Sequence, residues 1–116
     1  MRRLLAILAL TVGTAACASG GDRLAASRHD AAAGQRFVGR ACAGCHAVGP
    51  QGASPNPHSP PFRTLAARLP GEALEAQLAA ISQHGHVEMP PIYMTPEEIR
   101  AVAAYIRSIE SPRERT

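Results

Sequence analysis

Lysine and tryptophan are missing from this chain altogether, and the aromatic residues amount to two Phe and two Tyr in 116 positions. All 12 basic side chains are Arg, set against nine acids, for a net charge of +3. No basic run and no interleaving of basic with aromatic residues is present, so a nucleic-acid role lacks its electrostatic footing. The apolar run at residues 4–12 is far shorter than the ~20 residues a transmembrane helix needs. No segment alternates with period two, which argues against strands. Large apolar side chains are scarce as well. The hydrophobic fraction of 46% includes 23 Ala, and from residue 18 onward only 20 Leu, Ile, Val, Met, Phe and Tyr remain. For a single domain of about 100 residues that is a thin core, and chains of this size often need a staple, metal or cofactor.

The first residues read as an export signal. Met1-Arg2-Arg3 is a short positive start, residues 4–12 are apolar, and small residues follow. Ala16-Cys17-Ala18 fits ordinary signal-peptidase cleavage. Thr14-Ala15-Ala16-Cys17 resembles a bacterial lipobox, in which Cys17 becomes the lipidated first residue. The lipobox accounts for a third cysteine that otherwise has no partner, although Thr14 stands where Leu is usual. Both readings place the mature protein outside the cytoplasm, on the periplasmic side and either lipid-anchored or soluble. Without residues 1–17 the charge falls to +1, with ten Arg against nine acids.

Residues 18–29 carry no periodicity and read as a flexible lead-in. A domain is expected over residues 30–111, with a tail at 112–116. Asp30 is a suitable N-cap for a helix over 31–43, with Phe37, Val38 and Ala41 at helical spacing. Gly34 inside it costs about 1 kcal/mol relative to Ala, which calls for a packing reason. Residues 47–60 are rich in Gly, Pro, Ser and Asn and predict a loop. A short helix is expected within 61–68 and another over 72–83, ending near Gly85. Thr95-Pro96-Glu97-Glu98 combines a cap, a proline at the first helical position and a capping box, and Ile99, Val102, Ala103, Ile106 and Ile109 form the stripe behind it. Ser111-Pro112 stops that helix. The expected class is all-α.

Cys42-Ala43-Gly44-Cys45-His46 carries the chemistry. C-x-x-C-H is the attachment signature of c-type haem. Two thiols three residues apart at a helix end can each add to one porphyrin vinyl group, and the adjacent imidazole then offers a nitrogen to the iron. A thioredoxin-like pair, a zinc site and a disulfide across the motif are the competing readings; they want a βαβ setting, four ligands and tolerable geometry, respectively. An electron-carrying iron also wants a sixth ligand that stays in place. Met89, 43 residues after His46 and followed by Pro90-Pro91, is the expected donor. Met94 competes, but its place before the Thr95 cap suits a hydrophobic staple. His84 and His86 are the alternatives for bis-His ligation. No nucleophile–base or acid pair suggests catalysis, so the chain is expected not to be an enzyme.

In this order of parts the chain resembles a small bacterial monohaem class I cytochrome c over residues 30–109: Gly34 and Phe37, the Cys42–His46 motif, Pro60-Pro61-Phe62, Met89-Pro90, then Tyr105-Ile106. The resemblance implies three to four helices around one covalent haem c, with the first and last helices crossing at Gly34, Phe37 and Tyr105. It implies thioether links at Cys42 and Cys45 and axial iron ligation by His46 and Met89. It also implies a carbonyl from Pro60 or Pro61 on the His46 ring, and Phe62 against the haem. Such a protein carries single electrons by Fe(III)/Fe(II) cycling between redox partners. A dedicated haem subunit of a periplasmic or membrane oxidoreductase complex, and a haem sensor with an open iron position, are the alternatives. Ser59 stands where the family more often has Gly, and the lysines that ring the haem edge in many members are absent. Arg63 is a candidate for a haem propionate or for solvent.

Overall fold

The computed structural model describes residues 18–87 and 89–110, which are helical with no strand among them. The export segment with Cys17, the Ser111-Pro112 stop and the tail at 112–116 lie outside the described residues. Helix α1 spans Ala18–Ala41, a 3-10 turn covers Phe62–Thr64, and α2 follows at Leu65–Arg68. Helix α3 is Ala73–His84 and α4 is Pro96–Ser108.

α1 starts well upstream of the expected cap, and this corrects two expectations. Residues 18–29 are helical rather than a loose lead-in, and Asp30 is an interior position rather than an N-cap. The reason is propagation. Once the downstream half is fixed by packing, each added residue gains a backbone bond, and Ala, Arg and Leu resist this little. Residues 20–30 are exposed throughout, which is why no apolar period marked them. The helix also ends at Ala41, not Ala43, and residues 42–46 continue as one tight turn, with Cys42 N–H and Ala43 N–H both donating to the Val38 carbonyl.

α4 forms as its sequence dictates. The Thr95 hydroxyl accepts from Glu98 N–H, Glu98 Oε2 accepts from Thr95 N–H at 2.8 Å, and Pro96 opens the helix. Its buried face, Ala101, Val102, Ala103, Tyr105 and Ile106, packs mainly on α1. Gly34 is the contact point. A Cβ there would overlap the Ala101 carbonyl and crowd Tyr105 Cβ at 2.9 Å. The backbones approach as closely as they do because position 34 has no side chain. Val38, Leu74, Val102 and Ile106 are the most deeply buried large side chains, and Phe62, Leu78, Met94 and Tyr105 complete the cluster. α3 is tied to α4 by Arg107, whose guanidinium makes two 2.7 Å bonds to the Glu75 carboxylate and one to the Gly71 carbonyl.

Candidate haem site

Much of this core faces a cavity rather than filling space. A cavity of about 780 Å³ opens between the helices, and its walls include Phe37, Leu65, Leu74, Leu78, Ile81 and Val102. Ordinary interiors hold few voids larger than a water molecule, so a space of this size is built for a large apolar body. Cys42, Cys45, His46, Pro60, Phe62 and Met89 all line it. The structure thus gathers into one space the six residues nominated to attach, ligate and pack the haem, while His84 and Arg63 lie outside it.

The turn after α1 sets the first donors. Cys45 N–H and His46 N–H both donate to the Cys42 carbonyl, at 3.2 and 3.0 Å, which wraps 42–46 into a helical turn. Cys42 is half-buried, Cys45 is exposed, and both are free thiols. Burial pushes the Cys42 thiol up to about 11. It therefore stays protonated at neutral pH, which weakens it as a thiolate ligand or redox nucleophile. Among the described residues no group of three His, Cys, Asp or Glu side chains converges on a point, so the zinc reading of the motif lacks its ligand set. The thioredoxin-like reading lacks strands there as well.

His46 is 7% exposed, and its Nδ1 lies 2.8 Å from the Pro60 carbonyl. A carbonyl only accepts, so Nδ1 carries the proton and Nε2 keeps the lone pair. The ring is thereby fixed in the tautomer that can ligate a metal. The neighbouring Pro61 carbonyl is engaged elsewhere, accepting from Thr64 N–H and Thr64 Oγ1 at the start of the 3-10 turn. Phe62 packs against His46 with ring centres 5.0 Å apart. The loop from 47 to 60 is pinned by Ala47 N–H to Ser54 Oγ, Phe62 N–H to the Ala47 carbonyl and Asn56 N–H to the Cys45 carbonyl. Tyr105 on α4 donates its hydroxyl to the Val48 carbonyl at 2.8 Å, coupling this loop to the last helix. Arg63 lies at the loop's other side, where its guanidinium donates to the Gly52 carbonyl.

Met89 comes from a separate segment. α3 is capped by Gly85, whose φ of 67° and ψ of −164° occupy a region open essentially to glycine alone. A Cβ at Gly85 would run into the Met89 carbonyl and crowd Pro90 at 2.9 Å. The next residues fold into a tight turn in which His86 and Met89 exchange both backbone bonds, at 3.1 and 2.7 Å. Val87, at its tip, has φ 42° and is fully exposed. Met94, the competitor, is buried in the core yet also lines the cavity, and its N–H donates to Ser82 Oγ at 2.8 Å. His84 is exposed and does not line the cavity, whereas His86 does. Gly85 and Ser82 escaped the reading of the sequence. Gly85 showed there only as a helix end, and Ser82 gave no signal.

A helical shell around an apolar cavity, with two thiols and a fixed imidazole on one wall, defines a site of the c-haem class. The family described as cytochrome c matches residues 31–110, and this chain belongs to that family. Neither the curated proteins nor the solved structures give a significant match. The family binds haem c covalently, and the donor set and apolar walls of the cavity fit that group. Members of the family are in general electron carriers rather than enzymes. No described helix is long and apolar enough to cross a membrane.

Proposed function

We propose that this protein is an exported monohaem electron carrier in which Cys42 and Cys45 hold the haem, His46 is the proximal ligand and Met89 the distal one. The convergence of these four side chains on one apolar cavity carries the reading. Bound haem supplies the one-electron Fe(III)/Fe(II) couple, and His/Met ligation raises its potential. The protein's own residues set that couple. Pro60 holds the His46 ring and strengthens it as a donor, Phe62 presses against it, and the aliphatic walls keep water from the iron. Partners dock without a lysine ring, through apolar contact around the exposed Val87 beside the cavity, and association depends only weakly on salt. Cys17 carries a lipid that keeps the carrier at the periplasmic face of a membrane.

The test is the visible and near-infrared spectrum of the protein expressed with its signal segment and a haem-attachment system. A covalent c-type spectrum with the weak far-red band of Met on ferric iron is expected, and Met89→Ala removes that band. Its survival in Met89→Ala would sink the ligand assignment. Labelled palmitate enters the wild-type chain and not Cys17→Ser if the anchor is real.

A further inference from the structure

The turn that carries Met89 carries a second donor in register with it. His86 and Met89 face each other as a hydrogen-bonded antiparallel pair, with His86 N–H on the Met89 carbonyl and Met89 N–H on the His86 carbonyl. Residues directly opposite in such a pair put their side chains on the same face. That face is the cavity, whose wall includes both. The His86 ring stands with its centre 6.0 Å from that of His46 and its plane at 84° to it. An imidazole nitrogen sits about 2 Å from a transition metal, so two imidazoles sharing one metal have ring centres roughly 6 Å apart. The spacing of His46 and His86 therefore matches that of a bis-imidazole pair. His58 lines the cavity too, but it is exposed and stands on the 47–60 loop.

We propose that His86 is a second distal ligand, held in the same turn as Met89 so that it takes the iron whenever the thioether lets go. This rests on the haem-carrier reading above and adds a second ligation state to it. The exchange breaks the iron–sulfur bond and forms an iron–nitrogen bond, with no change in electron count. Both donors hang from the same two backbone hydrogen bonds, so the exchange stays within one turn. Soft thioether suits the ferrous ion better and imidazole the ferric ion, so losing Met89 shifts the potential downward.

The experiment uses the haem-loaded full chain and reads spin state and ligation by optical and electron paramagnetic resonance spectra. Haem stays attached in every variant, because Cys42 and Cys45 are untouched. His86→Ala alone should keep the far-red band. Met89→Ala should lose it yet remain low-spin, with a lower potential and slow carbon monoxide binding. Met89→Ala/His86→Ala should turn high-spin and bind carbon monoxide at once, whereas Met89→Ala/His84→Ala and Met89→Ala/His58→Ala should match Met89→Ala. A high-spin Met89→Ala protein overturns the proposal and leaves Met89 as the distal ligand. A low-spin Met89→Ala/His86→Ala protein overturns it as well, since another group then holds the iron. A wild-type protein lacking the band, with His86→Ala high-spin, overturns the Met89 assignment itself. Far-UV circular dichroism of each variant separates ligand loss from unfolding.

Discussion

The two walls that carry the proposed iron donors are built to different standards. The His46 wall is over-determined. A helical turn, the ring bond to Pro60, three backbone ties from the 47–60 loop and the Tyr105 hydroxyl all converge on it. Among the described residues the His86–Met89 turn shows one pair of backbone bonds beyond a helix end, and two residues there, Gly85 and Val87, have left-handed φ angles. A rigid wall fixes which His46 nitrogen faces the cavity. A lightly held wall can change shape without disturbing the first, and loops of this kind open locally well before the whole fold does.

The largest effect should come from withholding the haem, which both walls share. The 20 large apolar side chains of residues 18–116 leave a core that faces a cavity, so the haem-free chain is expected to be largely unfolded. A far-UV circular dichroism spectrum of native helicity in that chain would remove the main reason for regarding the core as incomplete. Gly34→Ala comes next. The added methyl meets the Ala101 carbonyl, and the haem-loaded protein should lose about 1–3 kcal/mol in denaturant unfolding. Gly85→Ala sharpens the contrast between the walls. It should weaken or abolish the far-red band while haem content and the ferrous spectrum of the proximal side persist, since the clash falls on Met89 and not on His46. Equal damage to both walls would mean that they are not independent.

Smaller effects probe the ties. Tyr105→Phe deletes the bond to Val48 and should cost about 1 kcal/mol with the far-red band intact. The Arg107–Glu75 pair lies outside both walls. Its hydrogen bond holds the Glu75 carboxyl below the usual carboxylate range. The stability it contributes is full above the unfolded carboxylate pKa of about 4.3 and fades as pH falls through the lower folded value. Both side chains are partly exposed, so Glu75→Gln should cost no more than about 1 kcal/mol at neutral pH and flatten the acid limb of the stability curve.

The two walls were also unequally legible in the sequence. The rigid one could be read almost whole, because its chemistry sits in one pentapeptide and its second support in a proline doublet. Only the choice between Pro60 and Pro61 needed geometry, since both carbonyls were plausible acceptors until the 3-10 turn claimed the second. α4 was legible for a similar reason, its Thr95–Glu98 box being local. Met89 was legible as a cavity residue, but the turn that carries it was not. Which residues share a face there depends on a turn held by Gly85, and a single glycine after a helix looks like any other helix end. The upstream half of α1 was hidden for the opposite reason, since an exposed helix needs no apolar stripe and so leaves none to find.

The close approach at Gly34 also bears on timing. Its partner, the Ala101 carbonyl, lies in the last described helix, so the helix pair that closes the fold joins the first and last described helices. Every cavity residue from Cys42 to Met89 precedes α4 in the chain, and a domain generally folds as a unit. The α1–α4 contact therefore cannot form until the last helix is present. A chain that stops before Thr95 keeps Cys42, Cys45, His46 and Met89 but lacks the helix that packs on Gly34.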